Sequence, residues 1–140
     1  MTETLRLHAT GGCGPAVTGT ALVSVDPFSP RYDLDRNTGV ISRVDHALHG
    51  HSIADTILVV PAPKGGVAAG WAIYALREMG IAPRGFVFTT VNPVFVQGAV
   101  HAGLPILHGF ADDPVKLLST GDLVRLDPAA SVLTVMEPAP

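Results

Sequence analysis

The fold is decided by residues 57–79, which read ILVVPAPKGGVAAGWAIYALREM. The apolar run at the beginning predicts a buried strand over Thr56–Pro61, because short uninterrupted apolar runs are typical of strands covered on both faces. A loop of prolines and glycines follows this run. Apolar residues then recur at helical spacing and predict a helix over about Val67–Met79, which Gly80 would end as a C-cap glycine.

The loop between this strand and this helix carries the candidate binding site, at Lys64, Gly65 and Gly66. A glycine loop that opens a helix exposes backbone N–H groups at the positive end of the helix dipole, and Lys64 adds a cation. The loop therefore favours an anion such as a carboxylate or a phosphate. It has neither the spacing of a P-loop nor a dinucleotide fingerprint. A plain tight turn with an exposed lysine stays open as the alternative.

The next segments repeat the alternation of strand and helix. Gly85–Thr90 predicts a strand from its aromatic and branched residues. Asn92 and Pro93 predict the N-cap and the first residue of a helix that runs to about Ala102, and Leu104–Gly109 predicts another strand. The resulting β-α-β-α-β order is typical of parallel strands joined by right-handed crossovers.

The flanking segments predict further strands, which we expect to join the parallel strands as antiparallel additions. They are Thr4–Ala9, Thr18–Val25, a short strand at Val40–Val44, and a pair at Asp122–Leu126 and Ser131–Met136. Two longer segments are predicted to be loops, and long loops are often functional. They are the polar, turn-rich Asp26–Gly39 and the histidine-dense His46–Asp55. The prediction is one α/β domain over residues 1–140, a mixed β structure covered by two helices, with a loose tail from about residue 135.

Composition excludes several classes of protein. At 47% hydrophobic and 15% charged residues the chain is globular rather than disordered. The formal net charge of −3 argues against a nucleic-acid binder. No segment predicts a membrane span or a signal peptide, so a cytoplasmic location is expected. Cys13 is the only cysteine, which excludes an internal disulfide and an iron–sulfur cluster held by this chain's thiolates alone.

Other residues with chemical potential have simpler structural explanations. One short segment contains the possible metal ligands Asp45, His46, His49, His51 and Asp55. Their spacing matches no zinc motif, and a surface loop with one histidine in a structural hydrogen bond is favoured. The pair Asp112-Asp113 precedes Pro114 and is expected to cap the following turn. Asp33 and Asp35, in the long polar loop, are weaker candidates for binding a substrate or a partner. No serine lies in a nucleophile elbow.

The order of several short motifs resembles the small subunit of the aconitase X family, which is also called the swivelling-domain subunit of these hydro-lyases. The resemblance covers residues 18–135, and its pieces are specific only in combination. They are Asp35-x-x-Thr38-Gly39-Val40-Ile41, His46-x-x-x-Gly50-x-Ser52-Ile53-Ala54, the strand Ile57–Pro61 with its Lys64-Gly65 loop, Gly80-x-Ala82-Pro83, Gln97-Gly98-Ala99, Leu104-Pro105-Ile106 and Thr120-Gly121-Asp122-x-Val124.

The resemblance implies a swivelling β/β/α domain like the fourth domain of aconitase, with a barrel-like mixed sheet. It also implies a larger partner subunit that carries most of the active site, together with any iron or iron–sulfur cluster. Members of the family dehydrate small hydroxy acids, including cis-3-hydroxy-L-proline and mevalonate 5-phosphate. No cofactor or metal is expected on this chain itself.

The chain departs from the family pattern at the loop. Family loops read like Pro-x-Gly-Lys/Arg-Gly-Ser, and one loop serine is regarded as the catalytic base. Here the expected serine position is Gly66, which has no side chain to accept a proton. No catalytic residue is therefore assigned to this chain, and the base is expected elsewhere, on the partner, unless this branch handles another substrate or has lost activity.

Three functional hypotheses follow. The first is the small subunit of a heteromeric hydro-lyase, whose Lys64–Gly66 loop closes over a small carboxylate or phosphorylated hydroxy acid. The second is a binding or regulatory module that kept the fold and lost the serine. The third is a self-contained enzyme that uses the histidine loop, for which substitution of His49 or His51 should abolish activity.

Overall fold

The computed structural model of the chain describes residues 5–64 and 67–140. Its strands are β1 (Leu5–Cys13), β2 (Val17–Val23), β3 (Leu34–Asp35), β4 (Val40–Ile41), β5 (Thr56–Val60), β6 (Gly85–Phe88), β7 (Ile106–Phe110), β8 (Leu123–Asp127) and β9 (Val132–Glu137). Its helices are α1 (Val67–Glu78), α2 (Pro93–Ala102) and the single-turn α3 (Pro114–Leu117). The strands form a closed barrel in the order β1-β7-β6-β5-β2-β8-β9, and β3 and β4 form a separate hairpin. The predicted barrel-like mixed sheet is thereby confirmed.

The parallel part of the barrel contains the three predicted strands and one more. β5 pairs in parallel with β6, and β6 pairs in parallel with β7. β2 also pairs in parallel with β5, with Ala21 opposite Ile57, so its assignment to the antiparallel additions is wrong on this side. A parallel pair needs a long crossover, and here the long segment between β2 and β5 provides it. On its other side β2 is antiparallel to β8, as predicted.

The apolar run of β5 is uninterrupted because both faces of the strand are covered. Ile57 and Val59 face the core inside the barrel, where they join residues such as Val124. Leu58 and Val60 face the second core, which lies between the sheet and the covering segments. All four side chains have no exposed surface.

The two long helices have the ends that the sequence predicts. The side chain of Asn92 accepts a hydrogen bond of 2.8 Å from the N–H of Phe95, and Pro93 is the first residue of α2. α2 ends at Gly103, which has a left-handed φ of 72°. Gly80, with a φ of 75°, follows α1 in the same conformation, and glycine adopts that conformation without a Cβ penalty.

Several strand boundaries differ from the prediction. β1 continues past Ala9 to Cys13, which pairs with Ile106, so Cys13 lies at the end of a strand rather than in a loop. The strand predicted at Val40–Val44 stops at Ile41. The tail also begins later than about residue 135: Val135 pairs with both Leu5 and Val124 inside the sheet, and β9 runs to Glu137. The single domain over residues 1–140 stays a prediction.

The segment between β2 and β5 forms one wall of the candidate site. It carries the β3–β4 hairpin and three fully buried apolar side chains, Phe28, Ile41 and Ile53. These side chains belong to the core between the sheet and the helices. A segment that is polar and rich in turns in sequence is therefore held against the barrel by apolar contacts.

Candidate functional site

Lys64 is fixed through its main chain. The N–H of Phe28 donates to the carbonyl of Ala62 at 3.1 Å, and the N–H of Lys64 donates to the carbonyl of Phe28 at 2.8 Å. Since Phe28 is fully buried, these bonds hold the residues after β5 against the long segment. The side chain of Lys64 keeps 40% of its surface exposed. The main chain of Ala62 and Lys64 is thus anchored to the core, while the ammonium group of Lys64 stays in contact with solvent.

The carboxylate of Asp33 lies beside this ammonium group and has no exposed surface. Its Oδ2 atom is 3.3 Å from Nζ of Lys64 and accepts a hydrogen bond of 2.8 Å from the N–H of Ser29. Its Oδ1 atom accepts a bond of 3.1 Å from Nη1 of Arg43. A buried charge needs such partners to offset the loss of hydration. Asp33 is therefore the shared counterion of two cations that come from different parts of the chain.

The pKa values of these groups reflect their partners. Burial pushes the pKa of Asp33 upward, but the Ser29 N–H, Arg43 and Lys64 outweigh burial and hold the pKa below its ordinary value. Hydrogen bonds to Asp33 and Asp45 raise the pKa of Arg43. The hydrogen bond from Arg43 lowers the pKa of Asp45. The ionised forms of all three groups are stabilised together.

His46 is the histidine with the structural hydrogen bonds. Its Nδ1 atom accepts a bond of 3.0 Å from the N–H of Leu48, so the proton is assigned to Nε2, which donates to the carbonyl of Pro27 at 2.9 Å. Both ring nitrogens are occupied, and only 2% of the side chain is exposed. The distance of 3.9 Å from Nε2 to Oδ2 of Asp33 is no ion pair for this neutral tautomer. The prediction of one structurally bonded histidine in this loop is confirmed.

A cleft of about 150 Å³ opens between these side chains, and we call it the Lys64 cleft. Its lining residues are Asp26, Pro27, Arg43, Asp45, His46 and Lys64. Lys64 can bind an anion here through an ammonium that is already desolvated on one side. Gly65 and Gly66, which the sequence analysis groups with Lys64, lie outside the described residues.

Other sequence candidates are not brought into this cleft. His49 and His51 are exposed and do not line it. Within residues 5–64 and 67–140, no group of three or more His, Cys, Asp or Glu side chains could hold a metal ion. Asp113 caps α3 as predicted, accepting a bond of 3.0 Å from the N–H of Val115.

Sequence reasoning missed Asp26, Pro27 and Arg43, and it considered Asp45 only with the histidines as a possible metal ligand. These residues carry no anion-binding motif, and they reach the cleft because the long segment between β2 and β5 lies against the residues after β5. The useful signal was the length and polarity of the segment that contains Asp33. It indicated a functional loop without identifying which of its charges pair.

A second, larger groove of about 370 Å³ lies between the outer faces of α1 and α2. It is lined by Gly70, Trp71, Tyr74, Val94, Gln97, Gly98 and His101. Trp71 is 70% exposed at its edge. The groove contains none of the charged residues of the Lys64 cleft. Among the described residues, no helix is long and apolar enough to cross a membrane.

The comparison with known proteins agrees with this architecture. The family model of the aconitase X swivel domain matches residues 6–135. The phosphomevalonate dehydratase small subunit of Methanocella arvoryzae is 33% identical over 86% of this chain and 92% of its own length. The protein of the same name from Thermococcus sibiricus is 32% identical over 95% of this chain and 100% of its own length.

A solved structure extends the likeness to three dimensions. The chain matched in the holo-form crystal structure of Thermococcus kodakaraensis aconitase X is 28% identical and superposes with a TM-score of 0.88. The match covers 96% of this chain and 100% of that one. The resemblance inferred from the motifs and the expected fold are both confirmed. This chain belongs to the aconitase X swivel-domain family.

Proposed function

We propose that this chain is the small subunit of a two-subunit hydro-lyase that dehydrates a small hydroxy acid, and that the Lys64–Gly66 loop binds an anionic group of the substrate. The relatives reported above are named small subunits of a dehydratase and match nearly all of this chain. The name implies a large subunit as the partner. A carboxylate or phosphorylated hydroxy acid fits the charge of Lys64.

The observation that carries the proposal is the placement of the Lys64 ammonium. It lines an open cleft, is 40% exposed, and lies 3.3 Å from one carboxylate oxygen. An ammonium group has three N–H donors, so Lys64 can donate to a bound anion while it keeps Asp33. The buried carboxylate of Asp33 holds the ammonium group in place, so the ammonium needs little reorganisation when an anion binds. Such preorganised charges are what an enzyme needs to position a substrate.

The reaction removes a proton from the carbon next to a carbonyl-type group and expels hydroxide. A base takes the proton, and a metal or an acid assists the leaving group. The described residues bring no three metal ligands together, and Cys13 is the sole cysteine. In this proposal any iron or iron–sulfur cluster belongs to the large subunit. This chain would bind and orient the substrate anion and exclude water on closure.

The base is placed on the large subunit, because Gly66 stands where the family pattern has a serine. The same residue favours a second candidate function, a binding or regulatory module that assembles with the large subunit without turnover. A location in the cytoplasm stays a prediction.

The test is co-expression with a large subunit of the same family from the same organism, followed by dehydration assays on hydroxy acids with and without a phosphate group. We expect a stable complex that turns over at least one of them. Lys64→Ala should lower kcat/KM by about tenfold to a hundredfold, the effect of losing a hydrogen bond between charged groups. The control is Lys116→Ala, which removes the chain's other lysine from the exposed surface of α3.

Each outcome separates the hypotheses. An unchanged kcat/KM in Lys64→Ala would overturn the role of the loop. A stable complex that binds substrate with no turnover would favour the regulatory module. Turnover by this chain without a partner would favour an enzyme that uses the histidine loop.

A further inference from the structure

Asp33 binds Arg43 through both its side chain and its main chain. Besides the side-chain bond of 3.1 Å, the carbonyl of Asp33 accepts bonds from the N–H groups of Ser42 at 2.9 Å and Arg43 at 3.3 Å. The carbonyl of Asp33 fixes the backbone of Arg43, and the carboxylate of Asp33 fixes its guanidinium group. Such double fixing is the preorganisation that reduces the entropy cost of ordering an arginine side chain on binding.

The guanidinium of Arg43 keeps donors available at the cleft. It has five N–H groups, of which Nε bonds to Asp45 at 2.9 Å and one on Nη1 bonds to Asp33. Among the described residues, the remaining N–H groups have no protein acceptor, and 46% of the side chain is exposed. Arg43 lines the same cleft as Lys64.

Two cations and three carboxylates meet at the cleft. Lys64 and Arg43 carry two positive charges against the one buried carboxylate between them. Asp45 is 77% exposed, so water and salt screen its charge. Asp26 also lines the cleft with a negative charge, and its Oδ2 atom accepts a bond of 2.7 Å from the N–H of Ala47. The carboxylates outnumber the cations, so an anion would bind here through the N–H donors of Lys64 and Arg43 that the carboxylates leave unused, and not through a net positive charge.

We propose that Arg43 is a second anion-binding residue of the Lys64 cleft, and that the buried carboxylate of Asp33 positions Arg43 and Lys64 as a pair. This inference rests on the proposed function, since it concerns the same substrate anion. The pair suits an oxyanion with at least two accessible oxygens. Arg43 supplies the N–H donors of Nη1 and Nη2 that Asp33 and Asp45 leave unused, and Lys64 supplies a point charge. A carboxylate and a phosphate monoester share this chemistry.

The test uses the complex of this chain with its large subunit, and compares Arg43→Gln, Arg43→Lys and Lys64→Ala. We measure KM and kcat separately, and the dissociation constants of inorganic phosphate and of acetate by calorimetry. Arg43→Gln should raise KM and weaken binding of at least one anion by about tenfold with a smaller change in kcat, because it removes a charged hydrogen bond. Arg43→Lys should recover only part of this loss, because lysine keeps the charge without the planar set of guanidinium donors.

The two anions identify the group that is bound. If Arg43→Gln raises the dissociation constant of phosphate more than that of acetate, the bound group is a phosphate, and the reverse order identifies a carboxylate.

The matched control is Arg36→Gln, an exposed arginine between β3 and β4 that does not line the cleft. It removes the same charge and should leave KM and both dissociation constants unchanged. Asp33→Asn tests the positioning role. It should weaken anion binding although it removes a negative charge, whereas simple electrostatics would strengthen binding. Its fold is verified by circular dichroism, and Arg43→Gln tests the pair independently if Asp33→Asn unfolds.

The inference and the proposed function fail differently. If Lys64→Ala weakens binding and Arg43→Gln does not, Arg43 has no part in the site and the role of Lys64 stands. If neither variant changes KM or anion binding, the anion site itself is wrong. If Asp33→Asn folds and binds anions more tightly than the wild type, Asp33 competes with the ligand rather than positioning its partners.

Discussion

The Nζ atom of Lys64 lies 3.3 Å from Oδ2 of Asp33, a carboxylate with no exposed surface. This contact joins the loop after β5 to the long segment between β2 and β5. Because the carboxylate is buried, its ionised form depends on the Ser29 N–H, Arg43 and Lys64 together. Lys64 therefore has two roles: it lines the cleft, and it helps to keep the buried carboxylate of Asp33 ionised.

The first prediction concerns the stability of the fold at low pH. The pKa of Asp33 is below its ordinary value of 3.8 in the folded chain, so the unfolded chain takes up the proton first as the pH falls. The stabilisation by Asp33 is then complete above the ordinary pKa and is lost as the pH falls through the lower, folded pKa. Denaturant titrations over this range should show a free energy of unfolding that declines toward low pH.

Asp33→Asn should lose about 2 kcal/mol at pH 7, the contribution of hydrogen bonds to a charged group, and should show a shallower decline in acid. Asp35→Asn is the control, because Asp35 lies two residues away and its side chain accepts a bond from the N–H of Asn37 instead. A decline in Asp33→Asn as steep as in the wild type would contradict the assignment.

The second prediction concerns the crossing of α1 and α2. A Cβ added to Gly98 would lie 2.5 Å from Cα of Gly70, closer than packed atoms can approach. Gly98→Ala should therefore force the helices apart and lower the free energy of unfolding by about 1 to 3 kcal/mol. A Cβ added to Gly70 would have its nearest neighbour at 3.5 Å, an ordinary contact. Thermal melts of Gly70→Ala should accordingly show the smaller loss, and the reverse order would refute the crossing geometry.

Sequence patterns predicted those strands and helices that are determined by residues adjacent in sequence. The apolar run of β5, the spacing in α1 and the Asn92-Pro93 start of α2 are confirmed within one or two residues at their boundaries. The parallel pairing of β2 with β5 was not predictable in this way, because the partner of a strand depends on the crossover between them. The extension of β1 through Gly11 was missed for a related reason. A Cβ there would lie 2.7 Å from the ring of His108 on the neighbouring strand, so this glycine makes room for a residue that is distant in sequence.

The same limit applies to the candidate site. Lys64 could be found from its loop alone, because the strand, the glycines and the helix are adjacent in sequence. Arg43 and Asp33 could not be paired with it, since their contacts depend on how the β3–β4 hairpin folds back. Nothing in the order of residues 33–45 indicates which aspartate becomes fully buried.

The third prediction tests the histidine-loop hypothesis. His46→Phe would leave the carbonyl of Pro27 and the N–H of Leu48 without the bonds that His46 makes. It should lower the free energy of unfolding by about 2 kcal/mol, because buried polar groups would lose their partners. His49→Gln and His51→Gln change exposed side chains and should alter stability by less than about 0.5 kcal/mol. Loss of turnover in either exposed variant of the complex, with stability unchanged, would revive a catalytic role for this loop.

The fourth prediction asks where the base is. If the large subunit supplies the base, a hydroxyl at Gly66 has no proton to accept, and Gly66→Ser should change kcat of the complex by less than about threefold. If the chain instead lacks a base that its relatives have, the same substitution should raise kcat by about a hundredfold or more, the usual contribution of a positioned base. Ala68→Ser is the control, because it adds a hydroxyl two residues further along, at the beginning of α1. A large gain in Gly66→Ser without a gain in Ala68→Ser would overturn the placement of the base on the partner, and would mark this chain as a subunit that kept its fold and its cations after losing the serine.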